Sequence, residues 1–97
     1  MRPDTVIERL RTNRSLLEKL GIKSLALFGS VARGEANPQS DVDLLVEFSQ
    51  PVGLFEFIRV QQALEALLGC PVDLVTPDAL RESMRATVMA EAIDVTP

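Results

Sequence analysis

One short segment, residues 41–48, alternates so regularly between apolar and other side chains that it constrains how the whole chain can fold. In an extended strand, successive side chains point to opposite faces. One face of this segment carries Val42, Leu44, Val46 and Phe48, and the other carries Asp41, Asp43, Leu45 and Glu47. The alternation predicts a β-strand that separates its carboxylates from an apolar face.

Segments with helical or strand periodicity lie on both sides of this strand. Helices are predicted over 4–20, 54–68 and 78–91, strands over 22–28 and 72–75, and one short helical turn over 30–33, closed by Gly34. The strand at 22–28 ends in four apolar residues, which predicts a central position in a sheet covered on both faces. This order of elements predicts an α/β (α+β) fold, with helices packed on a small mixed β-sheet.

Apolar side chains in the two later helices predict which of their faces turn towards the sheet. In the helix at 54–68, the predicted stripe consists of Leu54, Phe57, Leu64 and Leu68, widened by Ile58, Val60 and Leu67. In the helix at 78–91, the residues predicted to point inward are Leu80, Met84 and Val88. Thr76 and Pro77 fit the N-cap and first position of that helix.

Length, charge and composition narrow the functional classes. The 97 residues predict one domain, residues 1–97, with one hydrophobic core. The net charge is −4, so direct binding to nucleic acid, which usually needs a basic surface, is not expected. The absence of His and the single Cys exclude Ser-His-Asp triads, Cys-His dyads, imidazole zinc sites and internal disulfides. The sequence shows no membrane-spanning run and no signal peptide, so a cytoplasmic protein is expected.

Three aspartates form the first part of a candidate site. Asp41 and Asp43 share one face of a strand, with Cα atoms roughly 6.6 Å apart. Like charges at this spacing repel each other unless a cation lies between them, and Mg²⁺ commonly takes one or two carboxylates. Asp73 lies between Val72 and Leu74 and faces the opposite way from both. If its strand neighbours the strand at 41–48, all three aspartates converge on one patch.

A Gly-Ser pair forms the second part. Gly29 allows a close approach of the backbone to a ligand, and Ser30 offers a hydroxyl and an N–H where a helix begins. A strand followed by Gly-Ser and a helix start is a phosphate-binding arrangement, to which Arg33 adds a positive charge. A triphosphate-binding Gly-Ser pair beside aspartates that could bind a divalent metal indicates transfer of a phosphate-containing group by in-line displacement.

Each part also has a purely structural interpretation. An Asp-x-Asp pair is common on exposed strands, a Gly-Ser pair is often only a turn, and Asp73 fits a charge at a strand edge. Arg33 fits a surface salt bridge, and Ser40 fits the end of a loop, unless its hydroxyl orients Asp41. The combination is far more specific than its parts, because burying acidic groups beside Leu and Val is costly without a partner.

These residues resemble the signature of a known family. Gly29-Ser30-x-Ala32-Arg33-Gly34, followed by Ser40-Asp41-x-Asp43-Leu44, is similar to the motif of the minimal nucleotidyltransferase (MNT) domain of the DNA polymerase β-like superfamily. Val72-Asp73-Leu74-Val75 resembles the strand of that family that carries the third carboxylate. The similarity covers nearly the whole chain and implies the nucleotidyltransferase fold.

The resemblance also implies an activity and its residues. It implies transfer of AMP from ATP to a hydroxyl group, with Mg²⁺ (two ions) bound by Asp41, Asp43 and Asp73. Asp73 would also help to deprotonate the acceptor. Gly29 and Ser30 would hold the β- and γ-phosphates, and Arg33 and Ser40 are further candidates for nucleotide binding.

The acceptor is expected to be a second protein, because nothing after the last predicted helix could bind a larger substrate. Similar MNT proteins are antitoxins that adenylylate a HEPN-domain RNase toxin, which implies a HEPN toxin as partner and a hetero-oligomer. Two alternatives stay open. The chain could mask its partner by contact alone, or it could modify a small molecule or RNA that a separate subunit binds.

Overall fold

The computed structural model describes residues 2–35 and 41–97, so the predicted site residue Ser40 lies outside the described residues. The chain forms α1 (Pro3–Thr12), α2 (Arg14–Lys19), β1 (Ile22–Phe28), α3 (Gly29–Ala32), β2 (Val42–Phe48), α4 (Leu54–Leu68), β3 (Val72–Val75), a 3-10 turn (Pro77–Ala79), α5 (Glu82–Glu91) and β4 (Ile93–Asp94). The predicted mixed α/β architecture is confirmed.

The four strands form one mixed sheet in the order β3-β2-β1-β4. β1 pairs antiparallel with β2 and with β4, whereas β2 and β3 run parallel. Parallel neighbours need a long crossover, which α4 provides. The central position predicted for β1 is confirmed. A β-bulge between Ile22 and Ser24 shifts its register, so Ile22 and Leu25 are both buried although they are three residues apart.

The hydrophobic core lies on one face of this sheet, which we call the core face. Its sheet residues are Ile22, Leu25, Leu27, Val42, Leu44, Val46, Val72 and Leu74. They form one cluster with Val6, Leu10 and Leu17 of α1 and α2 and with Val60, Leu64 and Leu68 of α4. The opposite face, which we call the outer face, carries Asp43, Leu45 and Glu47 of β2 and Asp73 of β3.

The outer face is covered much less completely. Leu45 and Val88 of α5 are buried, but the core cluster does not include them. Ala26 and Phe28 of β1 are only half-buried. The prediction that β1 is covered on both faces is therefore correct for one face only.

The prediction of one helix over 4–20 is wrong at its centre, because the structure has two helices, α1 and α2, that meet at Asn13. The Asn13 side-chain amide donates a hydrogen bond to the backbone oxygen of Arg9 (2.8 Å). The Thr12 hydroxyl likewise donates to the backbone oxygen of Glu8 (3.0 Å). Such side-chain bonds compete with the backbone bonds of a continuous helix.

The bounds predicted for α4 are confirmed, but its predicted stripe is wrong at the first turn. Val60, Leu64 and Leu68 are buried, and Phe57 packs edge-on against Phe48 with ring centroids 6.2 Å apart. Leu54 and Ile58 are instead exposed.

The last predicted helix also differs from the structure. Residues 77–79 form the 3-10 turn, Leu80 and Arg81 are extended, and α5 begins only at Glu82. Met84 is 52% exposed, so the prediction that it points inward is wrong, whereas Val88 is buried as predicted. The two-residue strand β4 was not predicted. Across the described ranges, no helix has the length and apolar character that crossing a bilayer requires.

Candidate functional site

The parallel pairing of β2 with β3 brings two of the predicted aspartates together. Asp43 and Asp73 are register partners, as are Val42 with Val72 and Leu44 with Leu74. Because the apolar partners point to the core face, both aspartates point to the outer face. Asp41 directly precedes β2 and is exposed.

The pKa of Asp43 reflects its burial and the nearby carboxylates. The pKa of Asp43 is raised from 3.8 to about 6. Partial burial is the largest cause, followed by the nearby charges of Asp73 and Asp41 and a hydrogen bond with the Asp73 carboxyl. Arg33 acts weakly in the opposite direction. A cation that binds here would relieve the repulsion between the carboxylates.

Gly29 lies directly beside Asp43. Phe28 is the register partner of Asp43, and Gly29 follows with φ +77°, a left-handed conformation that favours glycine. A Cβ atom on Gly29 would overlap the Asp43 carboxylate and come within 3.0 Å of its Cγ atom. The fold therefore requires glycine here both for the backbone and for the space that the carboxylate occupies.

A cavity of about 540 Å³ contains this arrangement. It is lined by Phe28, Gly29, Ser30 and Arg33, by Asp43 and Asp73, and by Ser83, Met84, Thr87, Val88 and Glu91 of α5. Another cleft of about 580 Å³ lies between residues 46–52 and 76–78, but it contains none of the predicted site residues. The cavity therefore brings together residues of both predicted parts of the site, the Gly-Ser pair and two of the aspartates.

Arg33 lines the cavity but is already engaged by two carboxylates. Its Nε atom donates to Glu35 Oε2 at 3.0 Å, and its Nη1 atom donates to Glu91 Oε2 at 3.0 Å. Hydrogen bonds from Glu35 and Glu91 raise the pKa of Arg33 above its ordinary value. The salt-bridge interpretation of Arg33 therefore describes its contacts in this structure.

Glu91 is a residue of the cavity that sequence reasoning missed. Its Oε1 atom accepts a hydrogen bond from the Gly29 backbone N–H at 3.2 Å, besides the bonds from Arg33. Glu91 lies in the last turn of α5, 62 residues from Gly29 along the chain. No local motif surrounds it, so only the folded chain identifies it.

The predicted metal ligands form a pair rather than a complete cluster. Asp43 and Asp73 lie side by side and have the carboxylate chemistry that Mg²⁺ prefers. Within residues 2–35 and 41–97, however, no group of three or more His, Cys, Asp or Glu side chains is arranged to hold a metal ion. The assignment of all three aspartates to metal thus stays a prediction.

Comparison with known proteins shows which family this chain resembles. A family model described as a nucleotidyltransferase domain matches residues 7–95. The protein adenylyltransferase MntA of Thermococcus cleftensis is 43% identical over 82 residues, which cover 84% of this chain and 83% of that protein.

Two solved structures have the same fold. A chain provisionally assigned as a minimal nucleotidyltransferase superposes with a TM-score of 0.80 at 42% identity, covering 96% of this chain and 95% of that one. An MNT antitoxin complex with a tri-AMPylated HEPN toxin of Shewanella oneidensis gives a TM-score of 0.59 at 20% identity, covering 89% of this chain and 71% of the matched chain. At that identity the second likeness concerns the fold alone.

Proposed function

Because the chain belongs to the nucleotidyltransferase domain family, we propose that it transfers AMP from ATP to a hydroxyl group of a partner protein. The observation that carries this proposal is the register pairing of Asp43 with Asp73 directly beside Gly29. Gly29, Asp43 and Asp73 line one cavity, where the glycine N–H would bind a phosphate chain and the carboxylates would hold a divalent cation. We propose that this activity resides in a single minimal domain, residues 1–97.

Some residues of the cavity would bind the phosphates, and others would bind the metal. Gly29 and Ser30 would hold the β- and γ-phosphates through the backbone N–H and the hydroxyl group. Asp43 and Asp73, with Asp41 beside them, would hold Mg²⁺. When bound, Mg²⁺ supplies positive charge that offsets the charge of the phosphates. The crowding that raises the pKa of Asp43 is what a cation would relieve.

The transfer itself follows in-line displacement. The acceptor oxygen forms a bond to the α-phosphorus of ATP, and the bond from that phosphorus to the bridging oxygen of pyrophosphate breaks. Asp73, which lines the cavity and is exposed, would accept the proton of the acceptor hydroxyl. The products are the AMP ester of the acceptor and pyrophosphate.

We propose a HEPN-domain toxin as the acceptor protein. The name of the MntA relative supports a protein acceptor, and the complex with a tri-AMPylated HEPN toxin supports this class of partner. The net charge of −4 argues against the phosphate backbone of a nucleic acid as the acceptor surface. The chain contains no Tyr, so it lacks one of the hydroxyl side chains that could serve in self-modification.

A second function, masking of the partner by contact alone, is favoured by a different observation. Leu54 and Phe55, at the start of α4, are 70% and 83% exposed, and Ile58 lies one turn further along. Exposed apolar side chains of this kind suit a protein interface. Contact and catalysis make opposite predictions about what persists after the two chains separate.

The test incubates the protein with labelled ATP, Mg²⁺ and a candidate HEPN toxin, and then separates the chains. Catalysis predicts that the toxin gains the mass of AMP on a hydroxyl and stays inhibited after separation. Masking predicts no added mass and full recovery of toxin activity. The matched comparison uses Asp43→Asn and the Phe55→Ser variant, because the first removes a site carboxylate and the second removes an exposed apolar side chain.

A further inference from the structure

In the last turn of α5, the Glu91 carboxylate binds the Gly29 N–H and Arg33, two groups that are candidates for binding the nucleotide. Glu91 Oε1 accepts from the Gly29 N–H (3.2 Å) and from Arg33 Nη1 (3.2 Å), and Glu91 Oε2 accepts from the same Arg33 nitrogen (3.0 Å). One carboxylate thereby engages a backbone donor and a guanidinium at the same time. A phosphate oxygen would seek the same two partners, because both are donors to anions.

The charges in the cavity show why the Glu91 contact opposes binding of a phosphate chain. Asp43, Asp73 and Glu91 contribute three carboxylates to the cavity, and Arg33 contributes a positive charge. Glu91 neutralises Arg33 while it occupies the Gly29 N–H. An incoming triphosphate therefore meets a Gly29 N–H that is already bonded, and it also meets the negative charge of Glu91.

The helix that carries Glu91 is held by few contacts. Residues 82–87 are exposed, and Val88 is the buried residue of α5. Besides Glu91, a hydrogen bond from Arg85 Nη2 to the Pro77 backbone oxygen (3.0 Å) fixes the first turn of α5 to the preceding 3-10 turn. Lightly packed elements of this kind are the ones that move at low cost in free energy.

We propose that Glu91 is a built-in competitor of the nucleotide, and that ATP must displace its carboxylate from Gly29 and Arg33 before it can bind. This inference rests on the proposed function, because it assumes that the phosphates bind at Gly29. The contact holds the last turn of α5 against α3 when nucleotide is absent. Displacement releases the Nη1 atom of Arg33 to the phosphates and loosens α5, so nucleotide binding and the position of α5 are coupled.

The experiment compares Glu91→Ala and Glu91→Gln with the wild-type protein. Dissociation constants are measured for Mg²⁺-ATP and for tripolyphosphate, which has the phosphate chain without the nucleoside. Glu91→Ala should bind both about tenfold more tightly, because one charge-assisted competitor is removed. Glu91→Gln should show a smaller gain, since its amide oxygen can still accept from the Gly29 N–H.

The matched control is Glu35→Gln. It removes the same charge from the other carboxylate that binds Arg33, but it leaves the Glu91–Gly29 hydrogen bond in place. Its affinity for both ligands should stay within about twofold of the wild type. Hydrogen exchange gives a second measurement on the unaltered protein: adding Mg²⁺-ATP should speed amide exchange in the last turn of α5.

The outcomes separate the inference from the proposed function. If the wild-type protein binds ATP and transfers AMP, but Glu91→Ala binds no more tightly, Glu91 is not a competitor. Weaker binding in Glu91→Ala would instead make Glu91 a positioning residue for Arg33 and would overturn the inference. If no variant binds ATP, the proposed function itself fails, and the inference fails with it.

Discussion

Leu44 and Leu45 are neighbours on β2, but their side chains enter opposite faces of the sheet, and these faces are built in different ways. The core face is closed by α1, α2 and α4, and Leu44 is completely buried there. The outer face carries Asp43, Leu45 and Asp73 and is approached by α5. The difference teaches that most of the hydrophobic core lies on one face of the sheet and the candidate site on the other.

The largest expected effect concerns the chemistry of the outer face. Asp43→Asn should lower the rate of AMP transfer by at least about a hundredfold, because it removes a carboxylate from the proposed metal site. Glu47→Gln is the matched control, since Glu47 lies on the same face of β2 and is exposed. AMP incorporation measured by mass spectrometry checks this. Transfer at the wild-type rate in Asp43→Asn would contradict the role of Asp43.

The second prediction compares the two faces directly. Leu44→Ala should lower the free energy of unfolding by about 2–5 kcal/mol, because it leaves a cavity in the core cluster. Leu45→Ala should cost clearly less, since Leu45 lies outside that cluster and its surroundings can relax into solvent. Urea denaturation of both variants measures the difference. Equal losses would mean that the outer face supports the fold as strongly as the core face does.

The third prediction concerns the space beside Asp43. Gly29→Ala and Gly34→Ala both place Ala in a left-handed conformation, at φ +77° and +73°, which costs about 1–2 kcal/mol. A Cβ on Gly34 meets nothing within 4 Å, whereas a Cβ on Gly29 overlaps the Asp43 carboxylate. Gly29→Ala should therefore be the more destabilising variant in denaturation experiments. Combining it with Asp43→Ala should reduce the excess, because this removes the carboxylate and leaves only the Cβ of residue 43, at 3.2 Å. An undiminished excess would place its cause elsewhere.

The smallest expected effect is a dependence of stability on pH. The folded state raises the pKa of Asp43 from 3.8 to about 6, so between these values it binds more protons than the unfolded chain. This group's contribution to the free energy of unfolding therefore decreases as pH rises from about 4 to about 6, and it changes little above about 7. Without divalent ions, Asp43→Asn should be more stable than the wild type at about pH 8 and lose that advantage at about pH 3. An advantage that does not change with pH would exclude titration of Asp43 as its source.

Sequence patterns predicted the elements that have strong periodicity. The bounds of β1, α4 and β3 agree with the structure because each has a clear apolar pattern and a distinct stop. The convergence of Asp43 and Asp73 was predicted on the condition that β3 neighbours β2, which the register confirms. The roles of the site residues stay predictions, as does the part of Ser40, which lies outside the described residues.

What the sequence did not reveal depends on packing between distant segments. The break at Asn13 follows from side-chain hydrogen bonds that compete with the helix, and periodicity does not detect them. β4 has two residues, too few for any pattern, and exists because it pairs with Ala26 and Leu27. The contact of Glu91 with Gly29 joins segments 62 residues apart, so no local motif could have indicated it.

The register of β3 determines which face of the sheet carries Asp73. The junction of α4 and β3 is fixed by two hydrogen bonds, from Gln61 Nε2 to the Val72 backbone oxygen (2.8 Å) and from the Val72 N–H to Glu65 Oε2 (3.0 Å). A slip of one residue would turn Asp73 into the core face and expose Leu74. Within the β2-α4-β3 unit, two polar residues of the helix therefore help to keep the carboxylates aligned. A graft that copied the aspartates without Gln61 and Glu65 would carry the carboxylates but lose two of the hydrogen bonds that set the register of β3.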